Sequence, residues 1–437
     1  MKEIDGFFKK YNFNPHIKIE EAVSLLLEDM QRGLSSDFKN SSMDMIPLWR
    51  SIPHELPKNK NVIIIDAGGT NFRAGLVNFD KNGTASISSF LKYPMPALDR
   101  EMTNEEFFDT IADYLEPLKN SAEVISFCFS FAIKIFPDGG GETIKLSKEI
   151  KLPHIAGCRI NEALLQALVR KGWTSVKKAV MVNDTAAVLQ SGLLSKNKNN
   201  PTSAYDTFIG FVLGTGLNSA YIEYGKIEKL SGTEFYSKPQ IIVCESGKCN
   251  KVKQSDFDKA LTSNSNLKNE YFLERMCSGR YIGELCSIAL RFAANEGMFS
   301  TDVNEKMKIL KNLTAEEVSV FLKEQNHNKN IFSDMLSKEE ISPDYIKIYS
   351  ICASLFERDA LLAASVIAAS ALKTGKGKSA EKPICITANG SVFLHGFLMK
   401  EKIFRYLYEF LTEKKGIYFE LKTPEDSVTF GTAISVF

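Results

Sequence analysis

The sequence predicts an α/β protein built from two related units that face each other across a cleft. Three observations carry that expectation. The stretch 62–77, VIIIDAGGTNFRAGLV, runs from four β-branched residues into Asp66, two glycines and the polar set Thr70, Asn71 and Arg73, then into a second extended run. The stretch 207–223, TFIGFVLGTGLNSAYIE, repeats that plan with a Gly-Thr-Gly turn between its strands. Around both, strands alternate with helical segments, the pattern of mixed sheets covered by helices. Either turn alone is a hairpin signal; the repeat is what suggests two domains gripping one phosphate-bearing ligand.

Residues 1–18 read as irregular. Residues 19–35 form an amphipathic helix with Val23, Leu26, Leu27 and Met30 on one face. Pro47, Pro53 and Pro57 mark 36–60 as an extended connection. After the first glycine hairpin, Lys81-Asn82-Gly83 signals a turn into a further strand. Asn104 is placed to cap a helix over 105–118, with acidic residues in its first turn. EVISFCFSFA, 123–132, reads as a strand and Gly139, Gly140 and Gly141 as a loop. A helix over 161–171 closes at Gly172, and a strand occupies 177–182. At Asn183-Asp184 that strand gives way to the helix TAAVLQSGLL, and 196–206 is a polar surface loop near a domain boundary.

The second half is mostly helical. Residues 270–295 read as one long helix, and Thr314 with Glu317 has capping-box spacing. A long helix covers 343–372, where Ala363, Ala364, Ala368 and Ala369 suit close packing. Beyond the solvated loop 374–382, a strand over 384–387 leads to Asn389-Gly390-Ser391. The chain ends with a helix over 399–413, a strand over 418–421, a turn over 423–429 and a short last helix after Gly431.

A chain of 437 residues is long for a single core, so two domains are expected. Its 44% hydrophobic and 24% charged content is that of an ordinary globular enzyme. A net charge of +1 offers no basic face to nucleic acid or an acidic membrane. No apolar run approaches the ~20 residues that span a bilayer, and MKEIDGFFKKYNF lacks the pattern of a secretory signal. Eight scattered cysteines suggest reduced thiols in a cytoplasm. Cys244 and Cys249 are the closest pair, and without a second pair at ligand spacing they read as thiols, not zinc ligands.

The segments VIIIDAGGTNFRAGLV, FCFSFAIK, VNDTAAVLQSGL, VLGTGLNSAYIE and ERMCSGRYIGEL together resemble the eukaryotic-type hexokinases and glucokinases of the actin-like ATPase clan. The resemblance runs in order over roughly residues 20 to 437. It implies the actin-like ATPase (ribonuclease H-like) fold, with a small domain of 61–185 plus 430–437 and a large domain of 1–60 plus 186–429. It also implies ATP-dependent phosphorylation of the 6-hydroxyl of a hexose, glucose foremost, with Mg2+ and with the two domains closing over the sugar.

In phosphoryl transfer the protein mainly positions groups and neutralises charge. Glycine turns bring backbone N–H groups close to an anion, Thr70 and Asn71 add neutral donors, and Arg73 adds a fixed cationic fork. The resemblance assigns the remaining roles. Asp184 is the expected base, with Lys148 and Arg73 beside the transferring phosphoryl group. Sugar contacts fall to Ser130, Ser147, Lys148, Asn183, Asp184, Asn218, Glu245 and Glu274. On the nucleotide side, Asp66, Gly68, Gly69, Thr70, Asn71 and Arg73 oppose Gly214, Thr215 and Gly216, with Gly390 and Ser391 in the adenosine loop and Asp66 holding Mg2+ through water. On residue type alone, Asp184 also fits a helix N-cap, a position that lowers a carboxyl pKa. Glu274 likewise fits a solvated helix start, Glu245 a loop charge, and Lys148 one surface lysine among many.

The sequence departs from the family at three places. Thr-Lys-Gly-Phe is Ser147-Lys148-Glu149-Ile150, the tryptophan expected after Glu245 is Ser246, and the acid expected just beyond is missing from Gly247-Lys248-Cys249-Asn250. Asn389 also stands where the family usually has aspartate. Two other functions stay open on these grounds: a catalytically weak sugar sensor, and an actin- or chaperone-like ATPase whose turnover ignores sugar.

Overall fold

The computed structural model describes residues 2–68, 70–129, 132–145, 150–198, 204–263, 270–324, 331–333, 336 and 342–437. Ile4, Phe7 and Phe8 fall at helical spacing, and the chain begins with helix α1 (Lys2–Lys10), which lays them on the body of the protein. Phe7 stacks on Phe257 there at 5.5 Å. The expectation of an irregular lead is thereby corrected. Nine residues are too few to be helical on their own, and the surface that orders them is remote in sequence. Helix α2 (Ile19–Leu34) follows, and the extended connection beyond it contains a two-residue strand, β1 (Ile46–Pro47).

The first glycine motif opens a five-stranded sheet. Its strands are β2 (Lys60–Ala67), β3 (Asn71–Phe79), β4 (Ala85–Pro94), β5 (Val124–Phe129) and, beyond a separate hairpin of β6 (Ala132–Ile135) and β7 (Gly141–Lys145), β8 (Lys178–Val182). Val62 to Ile65 are buried on both faces, as a central strand requires. The order is β4-β3-β2-β5-β8, antiparallel from β4 through β2 and parallel from β2 through β8. Helix α3 (Asn104–Tyr114) starts one residue earlier than expected, because Thr103 is the N-cap and closes a capping box with Glu106. Helix α4 (Ile160–Arg170) precedes β8, and α5 (Asp184–Ser191) leaves it.

The second motif opens a six-stranded sheet with β9 (Thr207–Leu213), β10 (Leu217–Glu223), β11 (Gln240–Val243), β12 (Ile384–Asn389) and β13 (Phe419–Lys422). Its order, β1-β11-β10-β9-β12-β13, repeats the first sheet strand for strand and direction for direction, with β1 added at one edge. Between β11 and β12 lie α6 (Asp256–Ser263), α7 (Phe272–Cys277), α8 (Ile282–Asn295), α9 (Thr301–Lys308), α10 (Ala315–Lys323) and the long α11 (Pro343–Thr374). Arg358 of α11 and Asp258 of α6, both buried, form a two-pronged pair at 2.7 and 2.8 Å that locks these helices. After β12 come α12 (Ser391–His395), α13 (Met399–Leu407) and α14 (Ser427–Ile434).

Three further expectations are corrected. The helix expected over 270–295 is two, because the chain turns extended at Ser278 and the Gly279 N–H donates to the Gly214 carbonyl at 2.7 Å. The helix expected over 399–413 is α-helical only to Leu407 and continues as a π segment, Tyr408–Lys414. The turn expected over 423–429 ends at Ser427, where α14 already begins, so Gly431 lies inside the last helix. Helix α14 packs on α5, and α5 joins the sheets: Ala186, Ala187 and Leu189 share one apolar cluster with Phe127 and Val243.

Candidate active site

Strand β8 delivers Asn183 and Asp184 to the point where the two sheets meet. Asn183 is in extended backbone, and its side-chain oxygen accepts from the N–H groups of Thr185 at 2.9 Å and Ala186 at 3.3 Å. It is the N-cap of α5, the position that residue type also allowed for Asp184. Asp184 is the first helical residue, and its carboxylate accepts from the N–H of Thr185 at 2.6 Å and its hydroxyl at 3.1 Å. Burial nevertheless holds the Asp184 carboxyl above its usual range, overriding these two bonds. The lowering expected from a helix N-terminus is therefore corrected: removal from water outweighs it.

The second sheet supplies the facing wall. Asn218 on β10 donates to Glu245 at 2.9 Å, and its carbonyl accepts from the N–H groups of Ser219 at 2.8 Å and Ser246 at 3.3 Å. Glu274, on the short helix α7, accepts from the Leu217 N–H at 3.0 Å, immediately after the Gly-Thr-Gly turn. Burial pushes both carboxyls up, Glu245 to about 7. Asn183, Asp184, Asn218, Glu245 and Glu274 line one cavity of about 370 Å³, backed by apolar side chains such as Ile133, Ile135 and Val243. Asp44, Lys248 and Tyr271 line it too, and the sequence reading missed them. Lys248 stood inside a segment flagged only for what it lacks, and nothing local marks Asp44 or Tyr271.

A second cavity, of about 560 Å³, lies beyond that turn and is lined by Thr215, Gly279, Arg280, Lys323, Ser391 and His395, among others. The turn itself closes tightly, Gly214 N–H to Gly216 carbonyl at 3.0 Å. It is the wall shared by both cavities, with Gly216 on one side and Thr215 on the other. Gly390, at φ 112°, brings the β12 loop against it where a side chain would strike the Leu213 carbonyl. Asn389 accepts from the Gly390 N–H at 2.6 Å and donates to Ser427 at 2.8 Å. Arg280, Lys323 and His395 were not singled out from sequence, although Arg280 stands within a quoted motif.

The first turn carries charge. Asp66 and Arg73 stand opposite each other across β2 and β3, 3.3 Å apart. Burial pushes the Asp66 carboxyl up, Arg73 pulls it back, and the charge of Asp184 raises it further. Gly68 N–H donates to the Asn71 carbonyl at 3.1 Å, and the Asn71 amide to the Thr70 hydroxyl at 2.9 Å. These residues line neither cavity. Gly69, Ser130, Ser147 and Lys148 lie outside the described residues. Among the described residues no three His, Cys, Asp or Glu side chains form a metal-holding group. Asp66 still fits Mg2+, which takes hard oxygen donors and keeps most of its water.

The family model for hexokinase matches this chain in two parts, over residues 3–193 and 208–437. Hexokinase-2 of Solanum tuberosum is 26% identical over 451 aligned positions that cover 98% of this chain and 89% of that protein. Hexokinase-1 of Spinacia oleracea is 25% identical, covering 95% and 86%. Among solved structures, a hexokinase from Schistosoma mansoni complexed with glucose superposes with a TM-score of 0.76 at 22% identity, covering 99% of this chain and 98% of that one. A glucokinase from an Antarctic psychrotroph superposes at 0.51 and 17% identity, covering 86% and 98%.

Proposed function

This chain belongs to the hexokinase family, with the two-domain fold of that family, and from there we propose its reaction. It transfers the terminal phosphoryl group of ATP to the 6-hydroxyl of a hexose, glucose foremost, giving hexose 6-phosphate and ADP. The observation that carries this proposal is the shared wall: one Gly-Thr-Gly turn separates a carboxylate-lined cavity from a second one beside the β12 loop. A sugar in the first and a nucleotide in the second would meet at that turn, as in-line transfer needs.

Asp184 accepts the proton of the hydroxyl. Burial raises its pKa and so strengthens it as a base, and it sits in the cavity where α5 starts. Glu245 and Glu274 accept from the sugar's other hydroxyls. Asn218 adds an amide, and Asn183, whose oxygen is spent on the cap, offers its N–H donors. Ser130 and Ser147 complete the sugar contacts, with Lys148 neutralising charge on the phosphoryl group. Gly214, Thr215 and Gly216 hold the phosphates from the large domain, with Gly390 and Ser391 at the adenosine. Gly68, Gly69, Thr70, Asn71 and Arg73 reach them from the small domain, 61–185 plus 430–437, when it closes on the large one, 1–60 plus 186–429. Asp66 would hold Mg2+ through water, and that ion would shield the phosphate charge.

We place the enzyme in the cytoplasm. No described helix is long and apolar enough to cross a membrane. The test is ADP release from Mg–ATP with a panel of hexoses. Turnover that requires a hexose and is fastest with glucose is expected. Turnover indifferent to sugar would mean an actin-like ATPase, and sugar binding without turnover would mean a sensor.

A further inference from the structure

The sugar cavity is strongly acidic, and two charges in it, Asp44 and Lys248, have no part in the mechanism above. Among the described residues that line it, Asp44, Asp184, Glu245 and Glu274 bring four carboxyl groups and Lys248 is the one cation. Lys248 closes the short 3-10 turn that starts at Glu245, its N–H donating to the Glu245 carbonyl at 3.0 Å. The side chains of Glu245 and Lys248 line the same cavity. The ammonium is anchored from across the cavity: it lies 2.6 Å from the Asp44 carboxylate and 5.6 Å from the centre of the Tyr271 ring. Asp44 itself is held near by β1, whose Ile46 pairs with Val243 just ahead of Glu245. Glu245 sits in left-handed backbone at φ 56°, a conformation a non-glycine residue keeps only where its surroundings enforce it.

We propose that Lys248, paired with Asp44, is a positioning residue for the sugar: the pair ties the turn that starts at Glu245 to the chain entering β1 and so holds the Glu245 carboxyl where it accepts the hexose hydroxyls. This rests on the hexose-kinase reading above. Electrostatics agree with the geometry. Burial is the largest influence on Glu245 and pushes it up to about 7; Lys248 pulls it down, Asp44 and Asp184 push it up, and the Asn218 hydrogen bond pulls it down. Among the described residues lining the cavity, Tyr271, itself raised by burial and so neutral at physiological pH, and Glu274 are the other titratable groups.

The test is sugar affinity against pH from about 5.5 to 8.5, read both as KM for glucose in turnover and as direct glucose binding by calorimetry, in the full chain. The wild type should lose affinity as pH falls through about 7. In Lys248→Met that loss should start at higher pH and weaken binding several-fold at pH 7, because the cation that favours the ionised carboxyl is gone. The effect should fall on KM for the sugar, with KM for ATP unmoved, and Lys248→Arg should restore it. Asp44→Asn should also weaken glucose binding, because it frees the lysine, but without the upward shift in pH, because it relieves Glu245 of a like charge. A Lys248→Met profile identical to wild type, or a loss of ATP affinity equal to the loss of glucose affinity, overturns the proposal. Glucose binding that follows the expected pH pattern without any turnover would sink the kinase reading and leave the role of Lys248 standing; no glucose binding at any pH would sink both.

Discussion

The two glycine turns occupy the same place in sheets of the same topology, yet their chemistry is different. In the first, opposed positions of the hairpin are Asp66 and Arg73, a charged pair at 3.3 Å beside a turn that spans Gly68 to Asn71. In the second, Val212 and Asn218 hold the equivalent positions, with Leu213 and Leu217 next to the turn, which closes one residue tighter, Gly214 to Gly216. Its rigidity comes from outside: Gly279 donates to the Gly214 carbonyl, and Glu274 accepts from Leu217. Duplication of the backbone plan has left one turn to handle charge and the other to serve as a neutral partition between two cavities. A repeated fold thus predicts where a site lies, while the residues hung on each copy decide what each half does.

The sharpest way to break this comparison is at the seam between the halves. Asp184→Ala should lower hexose phosphorylation by at least about a thousandfold, the scale of a lost base in a positioned site. Circular dichroism should be unchanged, because Asn183 and not Asp184 caps the helix. Turnover within tenfold of wild type would remove Asp184 from its role.

The next effect separates the turns by packing. A side chain on Gly279 would meet the Gly214 carbonyl at 2.7 Å and Val392 at 2.6 Å, whereas one on Gly68 meets nothing within 4 Å. Gly279→Ala should therefore cost about 1–3 kcal/mol of stability, as overpacking does, and Gly68→Ala less than about 0.5 kcal/mol. Equal losses in urea melts would mean that the second turn is not clamped.

The smallest effect concerns charge in the first turn. Arg73 favours the ionised form of Asp66, so Arg73→Ala should raise the Asp66 pKa and move the acid limb of the pH–rate profile upward. Since the pair is partly exposed, high salt should shrink the difference. An acid limb that stays in place would show that Asp66 ionisation does not limit the rate.

Much of this arrangement was legible in the residues. The run Val62 to Ile65 announces a central strand, and the two glycine plans announce the duplicated sheets. Asn183-Asp184 stands at the strand-to-helix junction that became the seam. Other features were not legible, and for physical reasons. Helix α1 depends on Phe257, hundreds of residues away, to hold its aromatic face. The break between α7 and α8 exists because Gly279 bonds to Gly214, a contact no periodicity of 270–295 records. Asp44 and Lys248 are ordinary surface residue types until the fold sets them 2.6 Å apart in an acidic cavity.

By itself the amino-acid sequence determined the local geometry of this protein: which segments extend, where the chain must bend, and which donors and carboxylates border those bends. These follow from short-range sterics and periodicity, which every stretch of chain carries within it. Only the tertiary structure decided which carboxylates share a cavity, which of them burial keeps near neutral pKa, and which cation answers them. Those properties depend on distance and on exclusion of water, and both arise only when remote segments pack together.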